Sequence, residues 1–375
     1  MKDRNILMID LVGQYEKIKD QINQSIIKSL HDGKYINGPI VTEFSNNLSK
    51  YLNVKHVIPC ANGTDALQAA YMALDLKPGD EIISPSWAYI SIAETASLLG
   101  LKPVFCDVDP NTFNVSDQFI EPLITEKTKA IAVVHLYGQS CDMEPIVKLA
   151  KKHNLKLIED NAQAIGCEYT FSNGDKKYTG TMGDIGTTSF YPTKNLGTYG
   201  DGGAIFTNDD NLAKKIRMIV NHGESNKYHH DIIGFNSRLD SLQAEVLNIK
   251  LNYLNSYNNA RNKMANNYNN AFDNIKQIQT PVVLNNSTHV YHQYTLRVLD
   301  GRRDELMIFL ENIGIPSRIY YPIPLHNQKP FNKNSNISLN NTDLLSECCI
   351  SLPIHTEIEN SSQEYIIEQV LNFFK

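Results

Sequence analysis

Residues 189 to 205 read SFYPTKNLGTYGDGGAI. One lysine, Lys194, stands between an aromatic-flanked serine, Ser189, and the glycines Gly197, Gly200, Gly202 and Gly203. Such a lysine is either a solvated charge on a tight loop or an amine held against a ligand. Glycines let the backbone approach closely and take positive φ. In that setting a lysine can be desolvated and form a Schiff base. The rest of the chain decides between the two readings.

Around this stretch, from about residue 55 to 210, short β-branched runs alternate with amphipathic segments. That is the pattern of a largely parallel sheet covered by helices on both faces. EIISPS (81–86), KPVFCDVD (102–109), KAIAVVHLYG (129–138), LKLIED (155–160), IGTTSFYP (185–192) and GGAIFTND (202–209) read as strands. TDALQAAYMALDL, ISIAETASLLG and MEPIVKLAKKHN read as helices between them, and TFSNGDKKYTG as a surface hairpin. Residues 237–272 keep helical spacing without Pro or Gly and predict one long helix leading to a smaller unit. Asparagine is dense there and again at 332–341, but Leu, Met, Tyr and Phe recur at helical spacing, which predicts surface asparagine on an ordered helix. QYTLRV, RRDELMIFLENIGI and EYIIEQVLNFF predict a small α+β unit. The expected division is a large unit over 1–245 and a small one over 246–375.

A chain of 375 residues can bury a sizeable core. Its 35 Lys and Arg against 41 Asp and Glu give a net charge of -6 without a basic block, which argues against nucleic acid or an anionic membrane as partner. Six cysteines show no CxxC pair and no histidines at zinc spacing, so they read as buried thiols in a reducing compartment and no metal site is expected. The start, MKDRNILMIDLVGQYEKI, has neither the apolar run of a signal peptide nor that of a membrane span. A soluble cytoplasmic protein is expected.

Five local features could carry chemistry, and each alone has an ordinary reading. Asn62, Gly63 and Thr64 open a helix, where free N–H groups favour an anion, though they also make a plain cap. Glu159 and Asp160 end a buried strand, at the carboxyl edge where open α/β sheets bind ligands. Trp87 and Tyr89 lie past another strand end, able to stack on a heterocycle or to pack against a helix. Ser189 and Lys194 follow a further strand. Asn236 and Arg238 precede the long helix, and Arg238 can bind a carboxylate or phosphate or lie in solvent. A phosphate-binding helix start, a stacking aromatic, an acid for a pyridinium nitrogen and an imine-forming lysine are together what pyridoxal 5'-phosphate requires. No GxGxxG opens a helix after an early strand, and GDGGA leads into a strand instead, so the glycines do not fit a nicotinamide dinucleotide.

The order ANGTDAL, EDNAQAIG, SFYPTKNLGTYGDGGAIFTND and GFNSRLDSLQA resembles the DegT/StrS family of pyridoxal-phosphate-dependent sugar-nucleotide aminotransferases, from DLVGQY near residue 10 to SLPIH at 351–355. The resemblance implies the fold type I, aspartate-aminotransferase type of architecture and a homodimer with active sites at the interface. It implies that Lys194 holds the cofactor as a Schiff base and then carries the substrate proton, and that Asp160 keeps the pyridine nitrogen protonated. Gln163 would sit near the phenolic oxygen and Tyr89 would stack on the ring, with Trp87 its rival. Ser189, Gly63 and Thr64 would hold the phosphate, joined by Asn236 of the other subunit. ANGTDALQ, YHQYTLRV and YYPIPLH look most like enzymes that aminate C3 of a keto sugar, in particular UDP-2-acetamido-2-deoxy-3-oxo-glucuronate aminotransferases of surface-polysaccharide synthesis. These take L-glutamate as donor, releasing 2-oxoglutarate, and pass through the pyridoxamine phosphate form. The dTDP-3-oxo-6-deoxyhexose aminotransferases share NSRLD and YPIP. Substrate contacts are expected from Arg238, Tyr320, Tyr321 and His326. Tyr320 stands where both groups often carry histidine, and a uronate carboxylate would need Arg238 or Arg318. Sugar 3-dehydratases of the family carry histidine in place of the lysine, which Lys194 argues against. The intact Lys194, Asp160 and Gln163 argue likewise against a non-catalytic regulatory relative.

Overall fold

The computed structural model describes residues 6–332 and 337–375. The reading of the first five residues, and of the asparagines at 334 and 336, lies outside them. Helices α1 (Leu11–Asp32) and α2 (Pro39–Leu52) precede a strict alternation of strand and helix. It runs β1 (His56–Cys60), α3 (Gly63–Ala73), β2 (Glu81–Pro85), α4 (Ser91–Leu98), β3 (Lys102–Cys106), α5 (Asp117–Ile120), β4 (Thr128–Val134), α6 (Met143–Lys152) and β5 (Lys156–Asp160). The hairpin β6 (Glu168–Thr170) and β7 (Lys176–Tyr178) leads into β8 (Ile185–Ser189), β9 (Gly203–Thr207) and α7 (Asp210–Ile219). A small ribbon, β10 (Glu224–Asn226) and β11 (His229–His230), is followed by α8 (Ser241–Leu251) and α9 (Leu254–Phe272). The rest comprises β12 (Ile278–Gln279), β13 (Tyr294–Val298), α10 (Arg303–Asn312), α11 (Asn340–Cys348), β14 (Cys349–Leu352) and α12 (Asn360–Phe373).

Seven strands form the central sheet in the order β1-β9-β8-β5-β4-β2-β3. All run parallel except β9, which is antiparallel to both neighbours. Every strand expected from the sequence is present. β1 was not expected: HVIPC contains a proline, which cannot donate to a ladder, and the strand survives because it lies at the sheet edge and pairs with β9 alone. Because β9 reverses, β1, β5 and β8 all end at one edge of the sheet. The start of α3, Asp160 and the loop carrying Lys194 therefore converge there.

Side chains on the sheet and its flanking helices bury one large apolar cluster, with Trp87, Tyr71 and Tyr169 fully enclosed. A second cluster joins α9, the antiparallel sheet β12-β13-β14, α10 and α12. The long helix predicted over 237–272 is two helices. Asn252 turns its side-chain amide back onto the carbonyls of Asn248 and Ile249, at 3.1 and 3.3 Å, and so competes with the backbone ladder where α8 ends. All six cysteines are buried free thiols. Among the described residues no helix is long and apolar enough to cross a membrane.

Candidate active site

At the shared strand edge lies a cavity of about 700 Å³. Its wall brings together Gly63, Thr64, Tyr89, Asp160, Gln163, Ser189, Lys194, Tyr320 and Tyr321 of the residues expected from sequence.

The anion end is built by packing. Asn62 caps α3, its side-chain oxygen accepting the N–H of Asp65 at 2.8 Å. Among the described residues the N–H groups of Gly63 and Thr64 have no acceptor, so they remain available to a bound anion. A Cβ at Gly63 would lie 2.7 Å from the Cβ of Ser189, and one at Gly203 would lie 2.5 Å from the carbonyl of Asn62. Glycine at both positions is what lets β9, the end of β8 and the helix start close into a cradle.

The charged end holds one acid and one amine. Burial pushes the Asp160 carboxyl up, while the Ala162 N–H, 2.9 Å from Oδ1, and the charge of Lys194 pull it back. Burial lowers Lys194 to about 8 against the opposing pull of Asp160. An amine so placed is neutral in a useful fraction near neutral pH, as a nucleophile must be. Glu159, adjacent in sequence, serves the scaffold instead. It is fully buried and accepts the N–H groups of Gly180, Met182 and Gly183 at 2.8, 2.6 and 2.5 Å, with His135 Nε2 at 2.8 Å.

Gln163 is held at both ends: Oε1 accepts the Tyr137 N–H at 2.7 Å, and Nε2 donates to the Tyr321 hydroxyl at 3.1 Å. Tyr89 is 58 % exposed at the mouth, its ring 6.2 Å from that of Tyr321. Trp87 is buried, donates its indole N–H to the Tyr137 hydroxyl at 3.1 Å and does not reach the cavity, so of the two aromatics Tyr89 is the one placed to meet a ligand.

Besides Trp87, four of the expected residues, Asn236, Arg238, Arg318 and His326, stand outside this chain's cavity. His326 is buried in a turn, with Nδ1 2.7 Å from Ser86 Oγ and Nε2 3.2 Å from Asp343, so its ring anchors the turn rather than facing a substrate. Arg238 is bonded to Asn221 Oδ1 through Nε and Nη2, at 3.1 and 2.8 Å, and to Asn236 Oδ1 at 2.6 Å. Neither it nor Asn236 lines the wall. Conversely, His292, Gln293, Asp201, Met8 and Ile9 line it without having been singled out. YHQYTLRV entered the sequence reading as a run shared with C3-aminating enzymes and as a strand, with no role given to His292 or Gln293.

The residues fit a phosphorylated pyridine aldehyde. A cradle of free N–H groups and the buried Asp160 carboxyl share the wall with a lysine of lowered basicity. Residues 16–371 match the DegT/DnrJ/EryC1/StrS aminotransferase family. The chain is 42 % identical to the UDP-2-acetamido-2-deoxy-3-oxo-D-glucuronate aminotransferase of Pseudomonas aeruginosa, covering 98 % of this chain and 100 % of that protein. It is 41 % identical to a pleiotropic regulatory protein of Geobacillus stearothermophilus, covering 99 % of both. It is also 41 % identical to the dTDP-3-amino-3,6-dideoxy-alpha-D-galactopyranose transaminase of Aneurinibacillus thermoaerophilus, covering 97 % and 98 %. Among solved structures, that of Streptomyces venezuelae DesV in complex with a ketimine intermediate superposes with a TM-score of 0.94 at 34 % identity over 99 % of both chains. The chain therefore belongs to the DegT/DnrJ/EryC1/StrS aminotransferase family, with a fold type I architecture and pyridoxal 5'-phosphate as its cofactor.

Proposed function

We propose that the protein transfers the amino group of L-glutamate to a nucleotide-linked keto sugar, at C3 of UDP-2-acetamido-2-deoxy-3-oxo-glucuronate. The products are 2-oxoglutarate and the 3-amino sugar nucleotide. The observation that carries this reading is the shared wall of Lys194, Asp160, Ser189 and the start of α3. Bound there, the cofactor supplies an electron sink for moving an amino group between two carbonyl carbons. The N–H groups of Gly63 and Thr64 and the Ser189 hydroxyl hold its phosphate, and Asp160 holds the proton on its ring nitrogen. Gln163 and Tyr89 fix the ring plane. Lys194 would anchor the cofactor and would carry the proton at the substrate carbon.

The protein works as a homodimer in which Asn236 and Arg238 serve the other subunit's cavity. Their place outside their own cavity supports this. Six free buried thiols suit a reducing cytoplasm.

One observation favours a second substrate. Lys194 is the sole Lys or Arg on the described wall, which also carries Asp65, Asp160 and Asp201. A uronate carboxylate must then find Arg318, or Arg238 of the other subunit, whereas a dTDP-3-oxo-6-deoxyhexose needs no such cation. Running the sugar half-reaction backwards separates the two. UDP-2-acetamido-3-amino-glucuronate, added without 2-oxoglutarate, is expected to bleach the absorbance of the lysine-bound cofactor. Bleaching only by a dTDP-3-amino-dideoxyhexose would replace the substrate and keep the chemistry. Lys194→Ala is expected to abolish turnover, and substantial steady-state activity in that variant would overturn the assignment.

A further inference from the structure

Helix α9 buries a stripe made of Leu254, Asn258, Arg261 and Ala265, where simple packing would call for another aliphatic side chain at 258. Instead the amide of Asn258, 6 % exposed, reaches two segments that carry the cavity wall. Its Nδ2 donates to the Ile165 carbonyl at 3.2 Å, in the loop that runs on from Asp160 and Gln163. Its Oδ1 accepts from Asn195 Nδ2 at 2.8 Å, in the residue that follows Lys194. Asn195 is itself fixed, since Nδ2 uses its second hydrogen on the Val290 carbonyl at 2.9 Å and Oδ1 lies 3.3 Å from His292 Nδ1. Reversing either amide would set oxygen against a carbonyl oxygen, so donors and acceptors fit in one arrangement. The loop is shaped for the contact: Gly166 has a φ of +85°, and a Cβ there would lie 2.7 Å from Asn258 Nδ2.

We propose that Asn258 is a positioning residue, its amide joining the turn that carries Lys194 to the loop that carries Gln163, so that the amine keeps one place relative to Asp160 and Gln163. The backbone does not supply this tie. The β5-β8 ladder stops at Asp160 and Thr187, and the last link between the two segments is the Thr188 hydroxyl on the Asn161 carbonyl at 3.3 Å. Beyond it, among the described residues, the relay from Asn195 through Asn258 to Ile165 is the shortest hydrogen-bonded connection between the Lys194 turn and this loop. Without it the turn is free to shift against the groups that hold a ligand. The inference rests on the reading of Lys194 as the amine that captures the cofactor.

The test gives two ligands to full-length protein stripped of cofactor. Pyridoxal 5'-phosphate has an aldehyde that Lys194 must reach: Nζ adds to the carbonyl carbon and the oxygen leaves as water. Borohydride then adds hydride across the new C=N bond, and the label on the Lys194 peptide is counted by mass spectrometry at successive times. Pyridoxamine 5'-phosphate shares the ring and phosphate but has no aldehyde, so its affinity reads the rest of the site. Asn258→Ala should slow capture by about tenfold or more, the scale of misplacing an attacking group, while pyridoxamine 5'-phosphate affinity stays within about threefold. Asn195→Ala should do the same, and the double variant should be no slower than the slower single one, because both remove one link. Asn262→Ala, one turn along α9 and bonded to the His289 carbonyl at 2.8 Å, should change neither reading. Wild-type capture rates in Asn258→Ala and Asn195→Ala overturn the inference. So does pyridoxamine 5'-phosphate affinity falling in step with capture, or an Asn262 variant that behaves like Asn258→Ala, since either would be general loosening. Failure of the functional reading is separately visible, because wild-type protein would then carry no label on Lys194.

Discussion

Asp160 must remain a carboxylate in a place that disfavours one. Burial raises its pKa, and the Ala162 N–H, with Lys194 and His135 electrostatically, opposes the rise. A protonated ring nitrogen facing it would complete the balance, because an opposite charge within a few ångströms favours ionisation. Asp160→Asn preserves shape and removes the charge. The glutamate half-reaction followed by stopped flow should slow by about 100-fold or more, the scale of losing a group that holds a proton at the reacting system. A near-normal rate would remove this role. Asp160 and Lys194 were legible in the sequence because both follow strands whose carboxyl ends are binding positions in open α/β sheets. Strand position alone did not separate Glu159 from Asp160; only the family resemblance did. Glu159 and Asp160 differ in function only because side chains alternate across a strand, sending Glu159 to the backbone of residues 180–183. His292 and Gln293 escaped notice for a related reason, since only the packing of α9 and the Lys194 turn against the chain before β13 brings them to the cavity.

Helix α8 carries a charge that has no charged partner among the described residues. Lys250 is 1 % exposed, its Nζ has no hydrogen-bond partner among the described residues, and it sits 4.3 Å from the ring centroid of Tyr199. Burial lowers its pKa from 10.5 to about 8. The sign of the consequence follows from proton counting. Between about pH 8 and 10.5 the unfolded chain binds more protons at this site than the native one, so stability rises with pH there and the full penalty applies below. Lys250→Met keeps the volume and removes the charge. It should stabilise the protein by roughly 1–3 kcal/mol near pH 7, partly offset by the lost cation–π contact. The gain should shrink as pH approaches 10, as read from denaturant unfolding at two pH values. An equal gain at both would mean the ammonium is not paying a burial cost. Nothing in the sequence marks this lysine as buried, because a lysine at helical spacing reads as part of a solvated face. The break after it was equally hidden: no Pro or Gly marks the junction, and the stop comes from the Asn252 side chain. The strands were easier, since β-branched runs report burial on both faces. Within the central sheet only β1, with its proline at the sheet edge, departed from that pattern.

At the scale of the molecule, what matters is which residues the cavity does not receive from its own chain. Lys194, Asp160 and the α3 cradle are complete within one subunit, whereas Asn236 and Arg238 bond to Asn221 and to each other away from the wall. If those two complete the partner's site, two damaged chains can repair one another. Lys194→Ala and the double variant Asn236→Ala, Arg238→Ala should each be nearly inactive alone. In a mixed dimer, one site pairs the intact lysine of one chain with the intact Asn236 and Arg238 of the other, and the second site collects both defects. Random pairing makes half the dimers mixed, so co-expressed chains should recover about a quarter of wild-type activity, as a two-fold arrangement with shared sites requires. Recovery depends on subunit exchange, so mixing preformed homodimers should show activity growing only as they dissociate. Co-expression that yields verified mixed dimers without activity would place Asn236 and Arg238 in their own subunit's chemistry or outside it, and each cavity would then have to work with the wall its own chain supplies.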